Sequence, residues 1–174
     1  MVVIGPSGNG KSTLAAALAE RLGWRFVEGD AHHPPANIAK MARAEPLTDA
    51  DREPFLASIG RALADADGAV AACSALKRCY RETLTRVAGK PVLFVLPEVT
   101  AEELRRRMGL RPGHFMPPAL LASQLAAFES PAGNELSCTI DGSLPVSEAV
   151  DGMPPGCWSA CWRWPRWSRS STVR

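Results

Sequence analysis

Gly5, Gly8, Gly10, Lys11 and Ser12 fall at the spacing G-x-x-x-x-G-K-S inside the stretch GPSGNGKST. A glycine-rich turn of this length lets successive backbone N–H groups converge on phosphate oxygens, and a helix that starts where the turn ends adds its positive end. The run Gly5, Pro6, Ser7, Gly8, Asn9, Gly10, Lys11, Ser12, Thr13 is therefore expected to cradle a nucleotide. Lys11 is placed to reach the β- and γ-phosphates, and the Ser12 hydroxyl to ligate Mg²⁺, partly through water. Such a cradle can serve hydrolysis, transfer of a phosphoryl group, or simple retention of the nucleotide.

The residues downstream narrow the choice. No N-K-x-D segment is present to read guanine, and the third apolar run ends in Cys73-Ser74 rather than in the Asp of a motor-type ATPase. Asp30 closes the second apolar run, where a carboxylate can hold a Mg²⁺-bound water or accept the proton of an attacking hydroxyl. A hydroxyl acceptor means a kinase. Lys40, Arg52, Lys77, Arg78 and Arg81 lie in segments that follow the second and third runs. Phosphoryl transfer needs cations around its equatorial oxygens, and a carboxylate-bearing acceptor needs one more, preferably Arg. The set points to an anionic substrate that carries a hydroxyl. The segment RRRMGLRPGHFM has the character of a mobile basic lid, about residues 105–117, whose closure would keep ATP from water. Arg111 is its best candidate for the phosphates, and His114 suits either a substrate contact or a cap of the following helix.

These residues need a scaffold. MVVI, WRFVEGD, AVAAC, PVLFVLP and LSCTI read as five short strands alternating with helical segments. The helix after the P-loop is closed by Gly23, and Thr48 with Asp51 and Thr100 with Glu103 begin two others. Such alternation predicts an α/β fold: a parallel sheet in three layers, helices on both faces, with ligands at the carboxyl ends of the strands. So short a first strand leads us to expect further residues upstream of Met1.

Composition agrees. A chain of 174 residues with 46% hydrophobic and 22% charged residues fits one globular domain. Residues 152–174 hold four arginines and no acid, so at +2 overall the body stands at −2. A slightly acidic body argues against a nucleic-acid partner, and no apolar run reaches the ~18 residues of a membrane span. The odd number of cysteines reads as reduced thiols of a cytoplasmic protein, without a metal site at Cys157 and Cys161. We divide the chain into a kinase domain at 1–151 and a Trp/Arg/Pro-rich tail at 152–174, expected to be irregular and disordered.

Several blocks together resemble the gluconokinase family of P-loop kinases. GDAHHPPANIAKM is similar to the family's G-D-x-x-H-P-x-x-N-x-x-K-M, matching at Gly29, Asp30, His33, Pro34, Asn37, Lys40 and Met41. PLTDADREPFL resembles P-L-x-D-x-D-R-x-P-W-L, with Phe55 in place of Trp, and CSALKRCYRETL resembles C-S-A-L-K-x-x-Y-R-x-x-L. GHFM and LLASQLAAFESP resemble the lid and the helix after it. The resemblance implies transfer from ATP, with Mg²⁺, to the 6-hydroxyl of D-gluconate, in the fold of shikimate and nucleoside monophosphate kinases, as a homodimer. It implies that Asp30 takes the hydroxyl proton. Arg52, Lys77 and Arg81 would face the gluconate or the phosphoryl group, His33 and Gln124 would contact hydroxyls, and Arg107 and Arg111 would be the lid arginines.

The pattern departs from the family at its end, where Gly152, Pro154 and Pro155 interrupt a helix that should continue. Two or three missing aliphatic contacts at roughly 2–3 kcal/mol each would leave a marginally stable protein. The alternatives are a related kinase, of shikimate or nucleoside monophosphate type, and a nucleotide-binding pseudoenzyme.

Overall fold

The computed structural model describes residues 1–110 and 119–162. Five strands form one sheet: β1 (Val2–Val3), β2 (Arg25–Glu28), β3 (Ala69–Ala72), β4 (Phe94–Glu98) and β5 (Ser137–Asp141). Their order is β2-β3-β1-β4-β5 and every pair is parallel. Val2 lies opposite Ala71 on one side and Phe94 on the other, so β1 is central. Though only two residues carry the strand assignment, its ladder runs on: Ile4 N–H donates to Val95 O at 2.8 Å.

Both faces of the sheet are covered, which is why the inner strands β1, β3 and β4 are apolar runs, whereas the edge strands β2 and β5 are only partly buried. Val2, Ile4, Val27, Ala71, Phe94 and Leu96 face one cluster with α3 (Asp49–Ala64) and α4 (Arg78–Ala88). Val3, Val70, Ala72, Val95, Cys138 and Ile140 face the other, with α1 (Lys11–Leu22) and α7 (Val146–Asp151). The remaining helices are α2 (Pro35–Ala42), α5 (Ala101–Gly109), α6 (Ala119–Ala127) and α8 (Pro155–Trp162). The expected caps are present. The Thr48 hydroxyl accepts from Asp51 N–H while the Asp51 carboxylate accepts from Thr48 N–H, and Thr100 receives Glu103 N–H.

Helix α4 begins only at Arg78, because Ala75 has a φ of +35°, in the left-handed region. One expectation changes. The tail is not irregular throughout: Gly152 does end α7, but the chain re-enters helix at Pro155, a residue well suited to a first helical turn. Met153 and Cys157 are buried in the α1 side of the core, and Trp158 packs against it. The interrupted helix is thus replaced by a bent pair that recovers part of the expected apolar contact. Residues 163–174 lie outside the described residues.

If the link after α7 is anchored in this way, Met153→Ala should lower stability by about 2–4 kcal/mol, from lost transfer energy plus the residual cavity. Urea unfolding of the full chain reads this directly; a loss under about 0.5 kcal/mol, the size of an ordinary surface substitution, would show that this link adds nothing to the core.

Candidate active site

Immediately after β1 the backbone turns away from the sheet. Gly5 N–H donates to Ser74 O at 3.0 Å, and Gly5 has a φ of +121°. A Cβ there would stand 2.2 Å from Asn9 Nδ2, so glycine is required to admit the Asn9 side chain. Asn9 donates to Ile4 O at 2.8 Å and Pro97 O at 3.3 Å, and its Oδ1 accepts from Lys11 N–H at 3.2 Å. Lys11 Nζ donates to Pro6 O at 3.4 Å. Helix α1 starts at Lys11 with no side-chain cap and no acid in its first turn, which leaves its positive end to an anion. Thr13 is exposed on that turn.

Other elements close around the loop. The Ser12 hydroxyl donates to Glu28 Oε1 at 3.3 Å, bringing two hard oxygen donors together, a set suited to Mg²⁺. Among the described residues no three His, Cys, Asp or Glu side chains gather as a metal site, so a cation here would need oxygens from the nucleotide as well. Helix α5 lies over the loop: a Cβ on Gly8 would meet Met108 Cγ at 3.1 Å, and one on Gly10 would meet Arg107 Nη1 at 4.0 Å. Arg107 is held there by Glu103 Oε1 at 2.7 Å and Gly142 O at 3.0 Å. Gln124, expected to contact substrate, reaches the loop: its Oε1 accepts from Ser7 N–H at 2.7 Å.

Asp30 sits in a short 3-10 turn, Gly29–His32, beyond the end of β2. A Cβ on Gly29 would lie 2.0 Å from Ala72 O, so only glycine lets this turn press against β3. Glu28 Oε1 accepts from Asp30 N–H at 3.4 Å. The Asp30 carboxylate is half-buried and accepts no hydrogen bond from a described residue. His33 is 8% exposed and stacks on Phe55 with centroids 3.8 Å apart and planes 3° from parallel. Burial pulls its pKa down to about 4; Asp30 opposes this, while Arg52 and His32 add to it. The charges of Lys11, Asp30 and Arg52 also reach Cys73, whose thiol burial pushes up to about 12. Lys11, Asp30, His33 and Arg52 are thus brought to one edge of the sheet.

The other cations divide. Arg81 does not face that edge. It is 1% exposed, pairs with Glu135 at 2.6 Å and 3.0 Å, and donates to the carbonyls of Ala75, Leu76 and Glu129. The implied substrate contact is corrected to a structural role: Arg81 ties the left-handed turn at Ala75 to the segment before β5. Lys77 pairs with Asp49 at 2.8 Å and Lys40 with Asp51 at 2.7 Å. Arg52 makes no ion pair among the described residues and stands 5.6 Å from the Tyr80 ring centroid. Arg111 and His114 lie outside the described residues.

Three participants escaped the sequence reading. Glu28 had a signal, as the carboxylate two residues before Asp30 at the strand end. Asp49, which holds Lys77 and accepts from the Tyr80 hydroxyl, had none, being 28 and 31 residues from them. Asn37 stood in a recognised block but without a role.

Comparison with known proteins follows the same line. Residues 1–131 match a protein family described as an AAA domain. A gluconokinase of Gluconobacter oxydans is 51% identical over 146 residues, covering 82% of each chain. A probable gluconokinase of Schizosaccharomyces pombe is 41% identical over 143 residues, covering 77% of this chain and 74% of its own. Among solved structures, a gluconokinase from Sinorhizobium meliloti 1021 superposes with a TM-score of 0.82 at 45% identity, covering 91% of each chain.

Two outcomes test this geometry. Arg81→Met leaves Glu135 buried without its cation and should cost about 3–5 kcal/mol in urea unfolding; a neutral result would mean that Glu135 finds water. Because the folded His33 holds its proton only below about 4, against 6.5 in the unfolded chain, the unfolded state binds more protons between these values. The His33 contribution is then complete above pH 6.5 and is lost as pH falls towards 4. Urea midpoints should fall across that window, and His33→Gln should flatten the fall.

Proposed function

The chain belongs to the gluconokinase family, and from that premise we infer how its residues carry the reaction. It catalyses ATP-dependent phosphorylation of D-gluconate, giving 6-phospho-D-gluconate and ADP. The new bond joins the gluconate 6-oxygen to the γ-phosphorus, the bond from that phosphorus to ADP breaks, and the hydroxyl proton leaves. Asp30 is our candidate for its acceptor, and the observation that carries this is a half-buried carboxylate at the sheet edge, next to the cradle, that accepts no hydrogen bond from a described residue.

The loop from Gly5 to Thr13 and the first turn of α1 bind the phosphates, with Lys11 on the β- and γ-oxygens. Ser12 and Glu28 would hold Mg²⁺, which when bound neutralises charge on those oxygens. Arg52 takes the gluconate carboxylate: it alone of Lys40, Arg52, Lys77 and Arg81 makes no ion pair among the described residues, and the Tyr80 ring supports its guanidinium. Lys77 lies beside it on the same ring, 5.6 Å from the centroid, and can exchange Asp49 for substrate. His33 donates to a gluconate hydroxyl. Arg107 reaches the phosphates from α5, Arg111 extends that role from the lid, and His114 contacts the substrate. We further propose a cytoplasmic homodimer that acts on a small sugar acid, without nucleic-acid or membrane partners.

ADP release from Mg-ATP should depend on D-gluconate and not appear with shikimate or AMP. Asp30→Asn should lower kcat by about 10²–10⁴-fold while leaving binding of a non-hydrolysable ATP analogue intact. Equal release with all three acceptors, or full activity of the Asn variant, would overturn the assignment.

A further inference from the structure

Asn37 is 3% exposed on α2, and its carboxamide nitrogen has two neighbours. It donates to the backbone carbonyl of Asp51 at 2.7 Å and stands 3.4 Å from His33 Nδ1. A carbonyl oxygen only accepts, so the amide nitrogen, not its oxygen, must face Asp51. The second amide hydrogen is then the one presented to His33, and a nitrogen that meets an N–H must offer a lone pair. The ring proton is left to Nε2. Neither group is free to turn. Phe55 lies flat against the imidazole, and Asp51 is fixed by Lys40 at 2.7 Å and by the Thr48 cap.

We propose that Asn37 is a positioning residue which holds His33 as the neutral Nε2–H tautomer, so that His33 meets the acceptor substrate as a hydrogen-bond donor. A neutral donor recognises a hydroxyl or carboxylate oxygen without adding a second positive charge beside Arg52. Protonation of Nδ1 would set two N–H groups against each other, and the depressed pKa of His33 agrees with this. The charged and titratable groups that act on the ring are Asp30 and His32 from the 3-10 turn and Arg52 from α3. The identity of the acceptor rests on the proposed gluconate reaction; the tautomer does not.

The test begins with the unaltered full-length protein. Long-range ¹H–¹⁵N spectra, with His33 assigned by its loss in His33→Gln, should show Nε2 protonated and Nδ1 bare from about pH 6 to about pH 8, across the ordinary histidine range. D-Gluconate should shift the Nε2 signal and an ATP analogue alone should not. In Asn37→Asp an oxygen faces Nδ1, so the neutral ring should carry its proton there and lose its donor at Nε2. The KM for gluconate should then rise about tenfold near pH 8 and recover as pH falls, because the new carboxylate beside Nδ1 raises the pKa of His33 and the imidazolium regains the donor; KM for ATP and kcat should stay within about twofold. An Nδ1–H or charged ring in the unaltered protein, an Nε2 signal blind to gluconate, or a KM increase independent of pH would each overturn the proposal. Should gluconate release no ADP at all, the reaction assignment fails, and the spectrum of the ligand-free protein still decides the tautomer.

Discussion

The cradle depends on one side-chain amide. Where β1 parts from its neighbours, the carbonyls of Ile4 and Pro97 leave the regular ladder, and buried carbonyls must find donors. Asn9 supplies both hydrogens, at 2.8 Å and 3.3 Å, and uses its oxygen to hold the amide of Lys11. The shape of the loop is therefore set by the sheet before any phosphate arrives. Gly5 has to be glycine because the Asn9 amide occupies the space that a Cβ would take. Lys11, Asp30, His33 and Arg52 stand at this edge, and an edge fixed in advance can hold a near-attack geometry without ordering itself at each turnover.

Against that rigid edge, the sheet brings in its second carboxylate by another close approach. Gly29 lets the turn after β2 lie on the carbonyl of Ala72, and this holds Asp30 at the end of β2, where its charge and that of Lys11 both reach Cys73. Arg81 and Glu135 work in the opposite direction, from beneath. Their buried pair pins the left-handed turn at Ala75, and the residue before that turn, Ser74, gives its carbonyl to Gly5. The loop after β3 thus braces the loop after β1.

What was legible in the sequence follows from the range of the interactions. The P-loop, the strand runs and the Thr48 and Thr100 caps are local patterns, and the structure repeats them. Arg81 was misread because its partner is 54 residues away; from sequence, an arginine near a catalytic block looks like a ligand whether it is buried or open. The contact of Gln124 with Ser7 was out of reach for the same reason, since it spans 117 residues. The tail was misjudged for a different one. Gly152, Pro154 and Pro155 are genuine breakers, but a proline at the start of a helix is also a starter, and only the buried Met153 and Cys157 show which role prevails.

The centrality of β1 carries a consequence for synthesis. Val2 pairs with Ala71 and Phe94, and Asn9 reaches Pro97. A cradle encoded within the first thirteen positions cannot take shape on the ribosome until position 97 has left the exit tunnel. Until then the Ala- and Leu-rich α1 waits with its apolar side uncovered, a long-range closure of the kind that slows folding and exposes nascent chains to aggregation. The cradle segment thus becomes native only after strands that are made well after it.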